Sequence, residues 1–226
     1  MFRNLSLSAV MLFVFCVATA TAVDYRVEVL NEPPPAEGVA AGIVEKMAPS
    51  GYRVFRGNTR VVCDIWVCKQ WETKDDFTAT NTILYPFEVG RLFGLIRYHR
   101  SGEDFRGQEI GEGVYTLRYA QQPVDGNHIG TSDTLDFLLM SPVDEDDSPE
   151  PIDEDTLFAV SAATAGTTHP AMLSFLKAEG AGGQLPTMQH DEARDFWSIR
   201  LSGDRNGKEP PEKLVVEFVI VGVAEI

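Results

Sequence analysis

The sequence is poor in cysteine and in basic residues. It has three cysteines, and its 19 Lys and Arg are outnumbered by 34 Asp and Glu, which gives a formal net charge of −15. Binding to nucleic acid needs Lys and Arg to neutralise phosphates, so we expect no nucleic-acid partner. After residue 22 no apolar run is long enough to cross a bilayer, so we expect no stable membrane insertion.

Motifs of the well-known catalytic classes are also missing from the sequence. It contains no Gly-x-Ser-x-Gly elbow, no phosphate-binding loop, no His-Glu-x-x-His pair and no zinc-type cysteine pair. Its 4 histidines are not spaced as metal ligands. The sequence therefore predicts no metal and no other cofactor, and it leaves open whether the protein is an enzyme.

The first 22 residues have the pattern of an export signal. Arg3 supplies a positive charge, residues 5–17 are apolar, and residues 18–22 are small, as signal peptidases require. We predict cleavage near Ala22 and export to the periplasm or the exterior. Residues 23–226 are then long enough for a single domain with a substantial core.

Two cysteines, Cys63 and Cys68, follow this signal and lie in one run that is typical of a strand. Five extended residues separate two Cα atoms by roughly 16 Å. A disulfide needs a separation below about 7 Å. We therefore predict two free, buried thiols, while a turn between the two residues would allow a bridge.

Short β-rich runs separated by Gly and Pro dominate the remaining chain. The predicted strands are residues 25–30, 51–57, 59–71, 82–87, 91–98, 114–119, 135–140, 168–176, 196–201 and 214–223. Helical periodicity and terminal Gly or Pro predict two short helices, at residues 39–47 and 156–165. The pattern predicts an all-β domain, a mainly antiparallel β-sandwich or jelly-roll-like fold with two short peripheral helices.

Two features of the sequence concern where acidic residues are placed: residues 144–155 and Asp64. Residues 144–155 are dense in acidic side chains and contain two prolines, which predicts a solvated loop. Calcium binding is the alternative for this loop, although it lacks the glycine turn and final Glu of an EF-hand. Asp64 lies among apolar residues of a predicted central strand, so we expect an Arg partner for it.

Polar side chains gather in the connection between the predicted strands at 114–119 and 135–140, and near it. The candidate ligand-binding residues are Arg106, Gln108, Gln122, Asp125, His128, Asp133 and His169. Turn chemistry alone explains part of this cluster, because Asp-Gly favours a turn and Asn and Asp bond to nearby amides. Arg, in contrast, suits fork-like binding of a carboxylate or phosphate.

Two classes of function fit these observations. One is a non-enzymatic binding or structural module that meets an envelope, carbohydrate or protein partner. The alternative is a hydrolase-like or metal-assisted enzyme with a site around Arg106, Asp125 and His128, in which a base must lie near a nucleophile or metal. The chain also has three Trp residues that could stack on a sugar, although Trp in a β-rich domain is more often part of the core.

Several short segments resemble a family of exported bacterial proteins that carry no assigned activity. These segments are residues 64–66, 85–87, 106–108, 113–119, 122–130, 136–137 and 169–173. The resemblance extends over most of the chain after the export signal. It implies export and a single β-rich domain, and it implies no catalytic residue.

Overall fold

The protein is organised around one curled β-sheet of eleven strands. The computed structural model describes residues 24–124, 132–178, 183–207, 210 and 212–224. The strands in these ranges are β1 (Tyr25–Leu30), β2 (Gly51–Arg56), β3 (Arg60–Val67), β4 (Gln70–Trp71), β5 (Leu92–Tyr98), β6 (Gly102–Glu103), β7 (Glu109–Ile110), β8 (Gly113–Gln121), β9 (Asp136–Pro142), β10 (Met172–Leu176), β11 (Thr187–Asp191), β12 (Phe196–Arg205) and β13 (Lys213–Val221). β6 and β7 form a separate two-stranded sheet.

The order of strands in the large sheet is β1-β2-β3-β5-β8-β9-β10-β13-β12-β11, with β4 on β12. All pairs along this path are antiparallel, whereas β4 pairs with β12 in parallel. The two ends of the sheet approach each other, since the ring of Tyr25 in β1 lies 5.2 Å from that of Trp197 in β12, the neighbour of the edge strand β11. The sheet therefore curls around its own core.

Two helices lie beside the sheet, α1 (Ala41–Lys46) and α2 (Glu154–Ala165). α2 begins where the Asp153 Oδ1 accepts a hydrogen bond from the Thr156 backbone N–H at 3.0 Å. It ends at Gly166, which has the left-handed conformation common at helix C-termini. The prediction of an all-β fold with two helices is confirmed, while the two stacked sheets of a sandwich or jelly roll are not confirmed. No helix in the described ranges is both long and apolar enough to span a membrane.

Aromatic side chains fill the inside of the curl. Phe175 in β10 is fully buried, and its ring lies 4.8 Å from Tyr85, 5.9 Å from Phe93 and 5.8 Å from Phe218. Residues 82–87 were predicted as a strand, but they form an irregular segment that still buries Tyr85. Pro86 lies in this segment and has no backbone N–H to give to a ladder, so the predicted strand is wrong here.

The cysteine prediction is confirmed, because Cys63 and Cys68 are both free and buried. β3 ends at Val67, and the Cys68 backbone N–H donates to the Phe93 carbonyl at 2.9 Å. Burial raises the pKa of the Cys63 thiol far above its ordinary value and that of the Cys68 thiol to about 12. Both cysteines are therefore protonated core side chains at neutral pH.

A buried ion pair anchors the acidic segment against the outer face of β8. Arg118 and Asp146 are 0% and 1% exposed, and the Arg118 Nε and Nη2 lie 2.6 and 2.7 Å from the Asp146 carboxylate. Arg118 also donates to the carbonyls of Gly90 at 2.7 Å, Glu150 at 2.8 Å and Ser148. The expectation of a solvated loop is therefore wrong at Asp146, because the guanidinium of Arg118 holds its carboxylate in the interior.

Candidate functional site

A largely apolar pocket of about 370 Å³ lies between α2 and the outer face of the sheet. We call it the α2 pocket. Its apolar walls come from β8, β9, β10, α2 and two connecting segments. They include Phe105, Ala120, Phe137, Leu139, Phe158, Ala162, Met172 and Ala224. Most of these residues belong to a second hydrophobic cluster that is separate from the aromatic core inside the curl.

Three of the predicted site residues line this pocket: Arg106, Gln122 and His169. Gln122 follows β8 directly, Arg106 lies in the loop between β6 and β7, and His169 lies in the loop between α2 and β10. The structure thus brings together side chains that are up to 63 residues apart in the chain, since Arg106 and His169 face one cavity. Arg106 is half-buried, and His169 is exposed.

The Asp104 carboxylate organises the loop that carries Arg106. Its Oδ1 accepts hydrogen bonds from the backbone N–H groups of Arg106 at 2.9 Å and Gln108 at 2.8 Å. Its Oδ2 accepts from the Met172 backbone N–H at 3.1 Å, which ties the loop to β10. Gly107 turns the loop with a φ of 76°, a conformation that glycine adopts without strain. Arg106 therefore extends from a fixed backbone.

Gln108 braces the second loop, which carries His169. The Gln108 Nε2 donates to the Pro170 carbonyl at 3.1 Å and to the Asp104 Oδ2 at 2.8 Å, and its Oε1 accepts from Thr167. The Thr167 Oγ1 accepts in turn from the His169 backbone N–H at 3.1 Å. Gln108 itself does not line the pocket. Gln108 therefore joins the loop that carries Arg106 to the loop that carries His169.

Of the other predicted site residues that the structure describes, Asp133 does not join this cluster. Asp133 forms an ion pair with Arg194 and lines a different cavity, beside β11. Asp125 and His128 lie outside the described residues. The lining of the α2 pocket contains no Asp or Glu among described residues. Likewise, no three His, Cys, Asp or Glu side chains of the described ranges lie together as a metal site.

The Arg106 guanidinium has no ion pair and no hydrogen bond with another described residue. A half-buried guanidinium keeps five donors that a partner can satisfy. The pocket beside it is apolar, so an anionic group that enters meets Arg106 in surroundings with little competing water. The arrangement suits a ligand with one acidic end and an apolar body.

The three Trp residues do not form a sugar-binding platform. Trp66 and Trp71 are 0% and 1% exposed. Trp197 is half-buried, because its ring stacks 4.2 Å from His190 and packs against Tyr25. His190 and Tyr25 thus cover the Trp197 ring on which a sugar would stack.

Asp64 has the Arg partners that the sequence predicts, in a network on the outer face of β3. The Arg53 Nε donates to its Oδ1 at 2.6 Å, the Arg97 Nη2 donates to its Oδ2 at 2.5 Å, and the His99 Nε2 lies 2.7 Å from the same Oδ2. Burial alone would raise the pKa of Asp64. The hydrogen bonds from Arg53, Arg97 and His99 outweigh this effect, and the pKa is lowered.

This lowered pKa predicts how folding stability depends on pH. A carboxyl group whose pKa is lower in the folded state contributes stability above its unfolded pKa, about 3.9 for Asp, and this stability is lost as pH falls through the folded pKa. We expect Asp64→Asn to be less stable than the wild type at pH 7, and the gap in urea-unfolding free energy to narrow below about pH 4. Asp147→Asn, at an exposed position, serves as the control. A gap that stays constant from pH 7 to pH 3 contradicts the assignment.

Sequence reasoning missed the residues that shape the α2 pocket from a distance. Asp104 was not singled out, although the order Asp104, Arg106, Gly107 is a typical turn sequence in which an Asp side chain caps nearby amides. Phe158 and Ala224 carry no signal of their own. They reach the pocket only because α2 folds back over β9 and because residue 224 pairs with Phe105 through a backbone hydrogen bond of 2.8 Å.

Comparison with protein-family models, with curated proteins and with solved structures finds no match for this chain.

Proposed function

We propose that this chain is an exported, non-enzymatic binding protein whose α2 pocket holds a small amphipathic carboxylate. The observation that carries the proposal is Arg106, a half-buried guanidinium without an ion-pair partner among described residues, at a pocket with apolar walls. The apolar walls receive the hydrocarbon part of the ligand, and the guanidinium binds its carboxylate. The signal-like first 22 residues support export.

The dimensions of the pocket support a small ligand. Its volume is about 370 Å³, at the lower end of the roughly 300–1,000 Å³ typical of small-molecule sites. Such sites combine mainly hydrophobic walls with a few polar groups that fix orientation. Here the polar groups are Arg106, His169 and Gln122, while the walls are aromatic and aliphatic.

The backbone around the pocket supports a preformed site. Phe105 is hydrogen-bonded on both sides, since its N–H donates to the Met172 carbonyl at 2.8 Å and its carbonyl accepts from Ala224 at 2.8 Å. On the opposite wall the Ser161 Oγ donates to the Ala171 carbonyl at 3.1 Å, which joins α2 to the segment before β10. Walls that are fixed before binding reduce the entropy lost when a ligand enters.

The chemistry of the lining favours binding over catalysis. His169 is the titratable base that faces the pocket, and no carboxylate in the described lining orients it. A histidine that acts as a general base is usually held by such a partner. The enzyme hypothesis depends on Asp125 and His128, which lie outside the described ranges, and it stays a prediction.

We expect Arg106→Met to weaken binding of decanoate, measured by isothermal titration calorimetry, by about tenfold to a hundredfold. This range corresponds to the roughly 1.5–3 kcal/mol that a hydrogen bond to a charged group contributes. Decanol, which has a chain of the same length and no charge, should bind the wild type and Arg106→Met with similar affinity. Met keeps much of the apolar stem of Arg, so the packing of the pocket changes little.

Two further variants separate the head group from the chain of the ligand. Arg106→Lys should restore decanoate binding in part, because it keeps the charge but not the planar fork. Ala162→Phe fills the pocket from α2 and should abolish binding of both decanoate and decanol, with unfolding by urea as a check on the fold. Failure of decanoate to bind the wild type, or equal binding to wild type and Arg106→Met, refutes the proposal.

A further inference from the structure

A second cavity, of about 450 Å³, lies where the β2–β3 hairpin approaches the segment that follows β5. Three arginines line it: Arg56 at the end of β2, Arg60 at the start of β3, and Arg100 just after β5. We call this cavity the arginine pocket. It shares no lining residue with the α2 pocket and is independent of the function proposed above.

The arginines of this pocket differ from most others in the described ranges, which are ion-paired. The ion-paired arginines are Arg26, Arg53, Arg91, Arg97, Arg118, Arg194, Arg200 and Arg205. In the same ranges Arg56, Arg60 and Arg100 have no carboxylate within 4.0 Å. The chain has 34 acidic residues for 19 basic ones, so carboxylates are plentiful. All three arginines are exposed, so an anion that enters the cavity can reach their unpaired guanidinium groups.

The register of the β2–β3 hairpin places two of the three arginines opposite each other, which destabilises the hairpin. Arg56 and Arg60 are direct cross-strand partners in the pairing of β2 with β3. Like charges directly opposite each other on neighbouring strands repel and destabilise the pair. Arg100 adds a third positive charge to the lining of the same cavity. An anion bound between these residues would remove the repulsion.

Aromatic and polar groups complete the cavity. Tyr98 is 2% exposed, lines the pocket, and its hydroxyl has no hydrogen-bond partner within the described part of the chain. The close packing of Tyr98 depends on Gly102, because a Cβ at Gly102 would lie 2.7 Å from the tyrosine ring. Tyr25 adds an aromatic ring, and the Arg56 guanidinium lies 5.9 Å from its centre.

Two carboxylates also line the cavity and narrow the choice of ligand. Glu103 and Glu109 are cross-strand partners in the β6–β7 sheet, and both line the pocket. They disfavour a ligand that is negative throughout. They favour a ligand that turns hydroxyl groups toward them, because an ionised carboxylate accepts hydrogen bonds.

We propose that the arginine pocket binds a small phosphorylated sugar or polyol, with the phosphate on Arg56, Arg60 and Arg100 and the hydroxyl groups toward Glu103 and Glu109. Arginine suits phosphate because its planar fork donates two parallel hydrogen bonds. Tyr25 contributes apolar surface to the wall of the cavity beside the carbon skeleton. This site is distinct in place and in ligand chemistry from the α2 pocket.

Calorimetric titration of the purified protein with glucose 6-phosphate, glucose and inorganic phosphate tests this assignment. We expect glucose 6-phosphate to bind at least tenfold more tightly than either glucose or inorganic phosphate. The Arg60→Gln/Arg100→Gln double variant should bind it at least tenfold more weakly than the wild type. The affinity should also fall as salt concentration rises, because ion pairing with the phosphate is screened.

A second measurement separates a binding role from a structural one. Without ligand, the double variant should have a melting temperature at least as high as that of the wild type, since it removes like-charge repulsion and no described ion pair. A clear fall in melting temperature overturns the assignment, because it shows that the arginines stabilise the fold.

Matched variants serve as controls for this test. Arg194→Gln changes an ion-paired arginine that does not line the pocket, and Arg106→Met changes the α2 pocket; both should keep wild-type affinity for glucose 6-phosphate. The assignment fails if glucose 6-phosphate does not bind, if the double variant binds it like the wild type, or if inorganic phosphate binds equally well.

Discussion

Replacement of Asp146 by Ala is expected to lower the free energy of unfolding by about 3–5 kcal/mol, because it leaves the guanidinium of Arg118 buried without its counter-charge. Arg118 is 0% exposed, and two of its donors lie 2.6 and 2.7 Å from the Asp146 carboxylate. The Thr116 hydroxyl loses its shorter hydrogen bond, of 2.6 Å to Asp146, as well. Urea-induced unfolding followed by tryptophan fluorescence measures the change.

Asp147→Ala is the matched control for this prediction. Asp147 is the next residue in the same acidic segment, and it is exposed. Its replacement should change the free energy of unfolding by about 0.5 kcal/mol or less, as surface substitutions usually do. Equal effects at Asp146 and Asp147 would show that the buried ion pair does not anchor the segment.

The effect at Asp146 should depend on the presence of Arg118. A double variant, Arg118→Met with Asp146→Leu, replaces the pair by apolar side chains and leaves neither charge unpaired. We expect it to recover part of the stability lost in Asp146→Ala, because no charge is left buried without a partner, while the carbonyls of Gly90, Ser148 and Glu150 lose their donor. A double variant as unstable as Asp146→Ala would contradict this account.

Replacement of Phe175 by Ala is expected to cost about 3–5 kcal/mol, the range for removal of a large aromatic side chain from a core. Phe175 is fully buried, and three strands (β5, β8 and β13) and the segment before β5 place aromatic rings around it. Neighbours from so many elements cannot all move inward, so a cavity remains. Thermal and urea unfolding measure the loss of stability.

Phe55→Ala gives the comparison for Phe175. Phe55 is half-buried in β2 and stands apart from both hydrophobic clusters, with Arg26 lying 4.0 Å over its ring. Its removal should cost about 1 kcal/mol, mainly through loss of the cation–π contact. A loss at Phe175 as small as that at Phe55 would show that the aromatic core repacks around the gap.

Strands with a clear pattern were predictable from the sequence, while those without one were not. β1, β5, β8 and β13 each show alternating or continuous β-branched and aromatic residues, and the structure confirms them. β11 has the sequence Thr-Met-Gln-His-Asp, which is polar and lacks regular alternation, so pairing with β12 decides its conformation. Tertiary contacts commonly override weak local preference in this way.

The acidic segment shows a limit of compositional reasoning. Its charge density predicts solvation, and most of its side chains are indeed outside the core. The exception is Asp146, and its burial could have been predicted from Arg118. Arg118 stands in the middle of an apolar strand, and a buried arginine requires an anion. The distance of 28 residues between the two gave no local signal.

The sequence indicated which chemical groups the candidate site would have, but only in part which residues would come together. Arg106 stood out as an arginine near a polar connection, and it does line a pocket with Gln122 and His169. Asp133 was predicted by the same argument, but its carboxylate forms an ion pair with Arg194, a residue 61 positions away. Arg106 and Asp133 both lie near the polar connection in the sequence. In the folded protein they line different cavities.

The position of β13 has a consequence for how the chain reaches its folded state. β13 lies between β10 and β12, so a nascent chain that has not yet released residues 213–221 leaves both of those neighbours with an unpaired edge. Unpaired edges recruit other strands and promote aggregation. Closure of the sheet is thus coupled to the arrival of β13, and these edges stay open to self-association until residues 213–221 have been released.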